Sequence, residues 1–216
     1  DDNTWKHVAF VKSGTVGKFY INGSLDRTVS AAKNVTSLNS NFFYIGGDVR
    51  DSNSLDDAMR NVDYVFHLAA RSRIQPTIGS PNGCFEVNVI GTQRVLEWSR
   101  LNGIKRVIYS GTSSLYGKQN TIPFNPNMPA DCLNPYSMSK WMGERICDLY
   151  NQVYGLPSIV LRYFNVYGPR QLGGSPYSTA ITAWTHNIFT GLPLRSDGDG
   201  SQTRDLIFVD DVVESC

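Results

Sequence analysis

Between residues 62 and 164, short apolar runs alternate with longer amphipathic stretches, and this alternation restricts the chain to few folds. Val62-Asp63-Tyr64-Val65-Phe66-His67-Leu68 reads as a buried strand, residues 105–110 as a second and residues 158–164 as a third. The helix after the first strand places Phe85, Val89, Thr92 and Leu96 on one face, and Gly103 ends it. Asn134-Pro135 supplies an N-cap and a proline suited to the first helical position, opening a helix whose Met138, Met142, Ile146 and Leu149 share a face. Strand and helix in this order predict an α/β fold, a Rossmann-like parallel sheet with helices on both faces and function at the carboxyl ends of its strands.

Ahead of residue 46 the texture differs. Trp5-Lys6-His7-Val8-Ala9-Phe10-Val11, Lys18-Phe19-Tyr20-Ile21 and Asn41-Phe42-Phe43-Tyr44-Ile45 alternate with a period of two, broken by Ser13-Gly14 and Asn22-Gly23. They predict antiparallel strands and hairpins, because Asn and Gly both tolerate the positive φ of a tight turn. The expected division is an antiparallel β segment over residues 1–45 and an α/β domain over residues 46–216.

Composition removes several classes of function. The chain has 216 residues, 41% hydrophobic and 18% charged, enough to bury a sizeable core. Its net charge of +1 comes from interspersed residues, so no electrostatic stripe for nucleic acid is present. No apolar run approaches the roughly 18 residues of a membrane span, and no signal-peptide pattern occurs. Cys84, Cys132, Cys147 and Cys216 are scattered without a C-x-x-C pair, and the three histidines are dispersed. No metal site or disulfide framework is expected, and the thiols read as reduced packing residues of a cytoplasmic protein.

The chemistry centres on Tyr136-Ser137-Met138-Ser139-Lys140. A spacing of four on a helix puts phenol and ammonium on one face. A tyrosine pKa of about 10 is too high for a base near neutrality, whereas an ammonium about 4 Å away lowers it by about three units at an effective dielectric of 20. Ser110-Gly111-Thr112-Ser113-Ser114-Leu115-Tyr116-Gly117 stands upstream at a strand end, and Arg162-Tyr163-Phe164-Asn165-Val166-Tyr167-Gly168-Pro169-Arg170 at another downstream.

Together with Gly47-Asp48-Val49-Arg50-Asp51, His67-Leu68-Ala69-Ala70, Asn88-Val89-Ile90-Gly91-Thr92 and Thr203-Arg204-Asp205-Leu206-Ile207-Phe208-Val209-Asp210-Asp211, these motifs resemble the extended short-chain dehydrogenase/reductase family, within it the nucleotide-sugar epimerases and dehydratases. The resemblance implies NAD as cofactor, a nucleotide sugar such as a UDP-sugar as substrate, and a homodimer. It implies Tyr136 as general base and acid, Lys140 as the group that lowers its pKa and holds the nicotinamide ribose, and Thr112 as the hydroxyl bonded to the reacting oxygen. By the same resemblance Asp48 and Val49 contact adenine, Leu68, Ala69, Ala70 and Asn88 lie along the cofactor, and Phe164 backs the nicotinamide. Ser113 lines the sugar pocket, and Asn165 and Arg204 hold the diphosphate, a task suited to arginine's fork of donors. Thr112 could otherwise cap a strand end, and Arg204 could pair with a neighbouring aspartate.

Dehydrating members of the family usually carry an Asp-Glu pair after this Thr, and decarboxylating members usually keep the Glu. Here Ser113 and Ser114 follow, which favours an epimerase over a dehydratase, decarboxylase or reductase. The Gly-rich opening T-G-x-x-G-x-x-G is missing. Its nearest candidate, Val11 to Tyr20, puts Tyr20 at the third glycine and runs into the Asn22-Gly23 turn. Residues 5–47 instead resemble a stretch of a laminin-G-like, concanavalin-type β-sandwich, on Trp5-Lys6-His7-Val8-Ala9-Phe10, Phe19-Tyr20-Ile21-Asn22-Gly23 and Phe43-Tyr44-Ile45-Gly46-Gly47. The enzyme part is expected to be incomplete at both ends and impaired in NAD binding, which keeps open a catalytically silent scaffold or a carbohydrate- or protein-binding fusion.

Overall fold

The structure, a computed structural model, describes the backbones of the strands Val8–Ser13, Val16–Ile21, Ser24–Ser30 and Phe42–Phe43. Beyond them it describes residues 48–52, 55, 59, 62–118, 121–169, 171, 179–196 and 198–216. The chain forms two compact units, Asp1–Leu161 and Arg162–Cys216, so residues 1–45 and 46–161 share one unit.

In the first unit β1 (Val8–Ser13), β2 (Val16–Ile21) and β3 (Ser24–Ser30) form an antiparallel meander, as the alternating pattern predicts. The turn residues Gly14, Asn22 and Gly23 lie outside the described residues. The two-residue β4 (Phe42–Phe43) pairs antiparallel with β1 and parallel with β5 (Tyr64–His67), matching Phe42 with Tyr64 and Phe43 with Val65. Next come β6 (Arg106–Thr112), parallel to β5, and then β7 (Ser158–Tyr163). Meander and parallel strands thus make one seven-stranded sheet of order β3-β2-β1-β4-β5-β6-β7.

Helices α1 (Ile74–Gly79) and α2 (Pro81–Phe85) follow β5; a π-helical turn, Glu86–Ile90, then joins α2 to α3 (Gly91–Leu101) without leaving the helical region. Phe85, Val89, Thr92 and Leu96 do face inward, with Thr92 and Leu96 fully buried. Gly91 is required because a Cβ there would stand 2.4 Å from Val49 Cγ2. The core gathers Val49, Leu55, Met59, Val65, Val95, Leu96, Val107, Tyr109 and Cys147, each such burial contributing about 1.5–3 kcal/mol for the larger apolar side chains.

Helix α4 (Pro135–Tyr154) opens on a capping box: Asn134 Oδ1 accepts from Ser137 N at 2.9 Å, and Ser137 Oγ accepts from Asn134 N at 3.3 Å. Its apolar pattern misleads as to which face is inside. Met138 and Met142 are 36% exposed and Leu149 is 51% exposed, while Ser137, Ser139, Lys140, Gly143, Glu144, Cys147 and Tyr150 are buried. Small residues let β6 approach closely; Lys140 meets the Tyr109 ring there, while Ser137 bonds Asn134 and Ser139 bonds Asn88 and the Tyr136 carbonyl.

The second unit holds β8 (Asn165–Tyr167) paired parallel with β9 (Leu206–Phe208), together with α5 (Ala180–Thr190) and α6 (Val209–Ser215). Tyr167 meets Phe208 edge-on at 5.5 Å. No helix among the described residues is long and apolar enough to cross a membrane.

Candidate active site

Strand β6 ends at Thr112, which is 5% exposed and caps the 3₁₀ turn Ser113–Tyr116 by accepting from Ser114 N at 3.2 Å. The hydroxyl therefore does cap a strand end, and it lies near enough to the Tyr136 phenol to lower the phenol's pKa. Ser113 and Ser114 are half-buried beside it, and Tyr116 stacks on Phe124 at 4.7 Å. The close approach is secured by Gly111, where a Cβ would lie 2.9 Å from Glu144 Oε1 and 3.1 Å from the Leu161 carbonyl. Gly117, at φ 60°, turns the chain away under Asp131, whose carboxylate accepts from Lys118 N at 2.8 Å.

Tyr136 stands in the first turn of α4, half-buried. Burial pushes its phenol above the usual tyrosine range; the nearby Thr112 hydroxyl and the Arg73 guanidinium pull it back. Sequence spacing assigned the lowering to Lys140, but that side chain lies one turn deeper, 2% exposed, with its ammonium 4.1 Å from the centre of the Tyr109 ring. The cation acting on the phenol is Arg73. Arg71-Ser72-Arg73, two cations on the loop that follows β5, is the signal that could have found it.

Burial lowers Lys140 itself to about 8, partly opposed by Cys147, Glu144 and Cys84. No carboxylate bonds it among the described residues. His67, at the end of β5, is held down to about 3 by burial and then by the Lys140 charge. Thr92 Oγ1 donates to the Asn88 carbonyl at 2.6 Å, so the 2.8 Å contact between His67 Nε2 and Thr92 is a donation from a neutral imidazole.

Leu68 is 46% exposed, and Ala69 and Ala70 are half-buried, on the loop that follows β5. Asn88, in the π-helical turn and 1% exposed, fixes that loop: its Oδ1 accepts from Arg71 N at 2.7 Å, and its Nδ2 donates to Arg71 O at 3.0 Å and to Ser139 Oγ at 2.9 Å. The Asn88 amide thus joins the loop to α4 instead of facing open space. Asp48 grips Arg50 through contacts of 2.6, 2.9 and 3.1 Å, and Val49 is buried against Gly91. In the second unit Phe164 is half-buried, Asn165 Nδ2 donates to Asp205 O at 2.9 Å, and Arg204 is exposed with Nη1 on the Thr203 carbonyl at 2.7 Å. Among the described residues Arg204 makes no ion pair.

The nicotinamide-ribose end of an NAD fits here, because a buried ammonium bonded to no carboxylate among the described residues is what ribose hydroxyls would satisfy, with Tyr136 on the same helix face. The pyrophosphate end does not fit residues 11–20: Val11 pairs with Lys18 and Lys12 with Gly17 in the β1–β2 hairpin, where a glycine turn should enter a helix.

Comparison with known proteins agrees with this arrangement. Residues 13–216 match the NAD dependent epimerase/dehydratase family. The chain is 35% identical over 156 residues to a UDP-glucose 4-epimerase of Mycolicibacterium smegmatis, covering 71% of this chain and 49% of the relative. It superimposes with a TM-score of 0.74 and 32% identity on a UDP-N-acetylglucosamine 4-epimerase from Methanobrevibacter ruminantium M1 in complex with UDP-N-acetylmuramic acid, covering 78% of this chain and 54% of that one. A UDP-glucuronic acid 4-epimerase from Bacillus cereus, in complex with UDP-glucuronic acid and NAD, gives 0.69 and 31% over 77% of this chain and 51% of its own. The chain therefore spans about half the length of these relatives.

Proposed function

The chain belongs to the NAD dependent epimerase/dehydratase family, and on that premise we propose that its site is built to epimerise a nucleotide sugar, a UDP-sugar, at C4. The observation that carries this reading is the neighbouring pair of hydroxyls, Thr112 and Tyr136, with Ser113 and Ser114 rather than carboxylates following Thr112 on the 3₁₀ turn. Elimination or decarboxylation would need a further acid or base at those positions; epimerisation needs only Tyr136 to take the C4 hydroxyl proton and return it. Thr112 holds the reacting oxygen, and Ser113 lines the sugar. NAD, when bound, would supply the hydride acceptor that later returns the hydride to the opposite face. Lys140 would hold its ribose, and Leu68, Ala69 and Ala70 would lie along it. Phe164 would back the nicotinamide and Asn165 and Arg204 the diphosphate.

The β1–β2 hairpin favours a second reading, in which this chain is a silent scaffold of the same ancestry. The antiparallel meander is also what supports residues 5–47 as a laminin-G-like fragment joined to the enzyme. Without a helix N-terminus on the pyrophosphate, NAD affinity falls by roughly a hundredfold to several thousandfold. The exposed Met138, Met142, Leu149 and Val153 of α4 support pairing as a homodimer, and four unpaired thiols support a cytoplasmic setting.

Titration with NADH separates the two readings for this chain, a micromolar dissociation constant overturning the proposed impairment. In a molecule given a Gly-rich opening and the remaining C-terminal region, Tyr136→Phe should cut turnover of UDP-sugars by about 10²–10⁴ while leaving their affinity within a few-fold. Near-normal turnover in that variant would remove Tyr136 from the mechanism.

A further inference from the structure

We infer that Tyr109 is the positioning residue for Lys140, its ring a plate beneath the ammonium and its hydroxyl a tie to the helix that carries it. The inference rests on the reading of Lys140 as the cofactor-holding lysine. Tyr109 sits in the middle of β6 with no exposed surface. The Lys140 Nζ lies 4.1 Å from the centre of its ring, and its Oη donates to the Lys140 carbonyl at 3.2 Å. One aromatic residue thus holds both ends of the lysine.

Two neighbours are shaped to this arrangement. At Gly143, one turn beyond Lys140, a Cβ would stand 2.1 Å from Tyr109 Oη and 2.6 Å from Cζ, so any larger residue would drive the ring out of its seat. The His67 ring lies 5.6 Å from the Tyr109 ring and stays neutral, so it adds no repulsion to the ammonium. The titratable groups acting on Lys140 are Glu144 and Cys147 on its own helix, Cys84 on α2 and His67 on β5. Against these groups, the surface on which the buried ammonium lies is the electron-rich face of Tyr109. A tyrosine that only filled the core would still need a partner for its hydroxyl, but it would not need an ammonium centred on its ring.

The test uses the chain as it stands, without cofactor or sugar, labelled with ¹³C and ¹⁵N at the lysine side chains. In the parent, the Lys140 ε-methylene protons should lie upfield of every other lysine because they sit in the shielding cone of the ring; ordinary lysine positions would overturn the proposal even if no variant folds. Tyr109→Phe, and then that phenylalanine fluorinated at one, two and three ring positions, weakens the ring face at nearly constant volume. The Lys140 titration midpoint, about 8 in the parent, should fall stepwise by about one unit across the series. A constant midpoint, or a fall matched by loss of amide protection throughout α4, would reduce Tyr109 to packing. Failure of the cofactor reading shows separately: in a molecule given a Gly-rich opening, Lys140→Ala would leave NADH affinity unchanged while the fluorine series still moved the midpoint.

Discussion

The β1–β2–β3 meander and the β5–β6–α4 region belong to one sheet but are held by opposite means. In the meander each strand pairs with its neighbour in sequence, Val8 with Ile21 and Val16 with Ser30. The other region is closed by partners far apart in the chain: Asn88 and Ser139 are 51 positions apart, and Gln93 and Tyr150 are 57 apart. Local pairing closes small loops and forms from its turns alone. The distant partners form only once the parallel sheet and its helices are assembled, so the site is a product of tertiary structure that the meander does not share.

The sharpest way to break this contrast is Gly143→Ala. The added methyl meets the Tyr109 phenol at 2.1 Å, and overpacking of this kind should cost about 3 kcal/mol. Denaturant unfolding followed by hydrogen exchange should show protection lost in α4 and β6 and kept in β1–β3; equal loss in both would mean that the two regions unfold as one.

Acid should act in the same direction with a smaller effect. His67 has its folded pKa depressed to about 3 from 6.5, chiefly by burial. Its contribution is therefore complete above the unfolded value and lost as pH falls from 6.5 toward 3, with a slope of about 1.4 kcal/mol per pH unit for one proton. Stability measured between pH 7 and 5 should decline, and His67→Gln should flatten the decline. An unchanged slope in that variant would place the acid sensitivity elsewhere.

Least affected should be the junction. Phe42→Pro with Phe43→Pro removes backbone donors from a strand that pairs with β5 through two residues, so the core should lose less than about 1 kcal/mol while exchange of the Tyr64–His67 amides rises. A larger loss would make the meander a structural part of the parallel sheet.

What the sequence revealed follows the same divide. Strand positions and the Asn134 cap were legible because they depend on local pattern, whereas the nearness of Thr112 to Tyr136 was legible only through the family resemblance. The buried face of α4 was not: of the apolar stripe Met138, Met142, Ile146 and Leu149, Ile146 packs against the core while the other three are exposed. Helical spacing likewise placed Lys140 near Tyr136 but could not foresee that Tyr109, from another strand, would draw its ammonium inward. Nor could it foresee that Asn88 would spend its amide on Arg71 and Ser139.

The π-helical turn at Glu86–Ile90 bears on how this stretch tolerates insertion and deletion during descent. Such a turn accommodates one residue more than an α-helical turn. Deleting a single residue there would let α2 and α3 merge into a regular helix, an outcome that would look conservative in an alignment. Because the wide turn is what absorbs that residue, the helix beyond it would keep its facing, with Thr92 on His67 and Gly91 on Val49, provided Asn88 is not the residue lost. An inserted residue has no such slack and would rotate everything downstream by about 100°. In any lineage that keeps the site, single losses at this turn should therefore outnumber single gains.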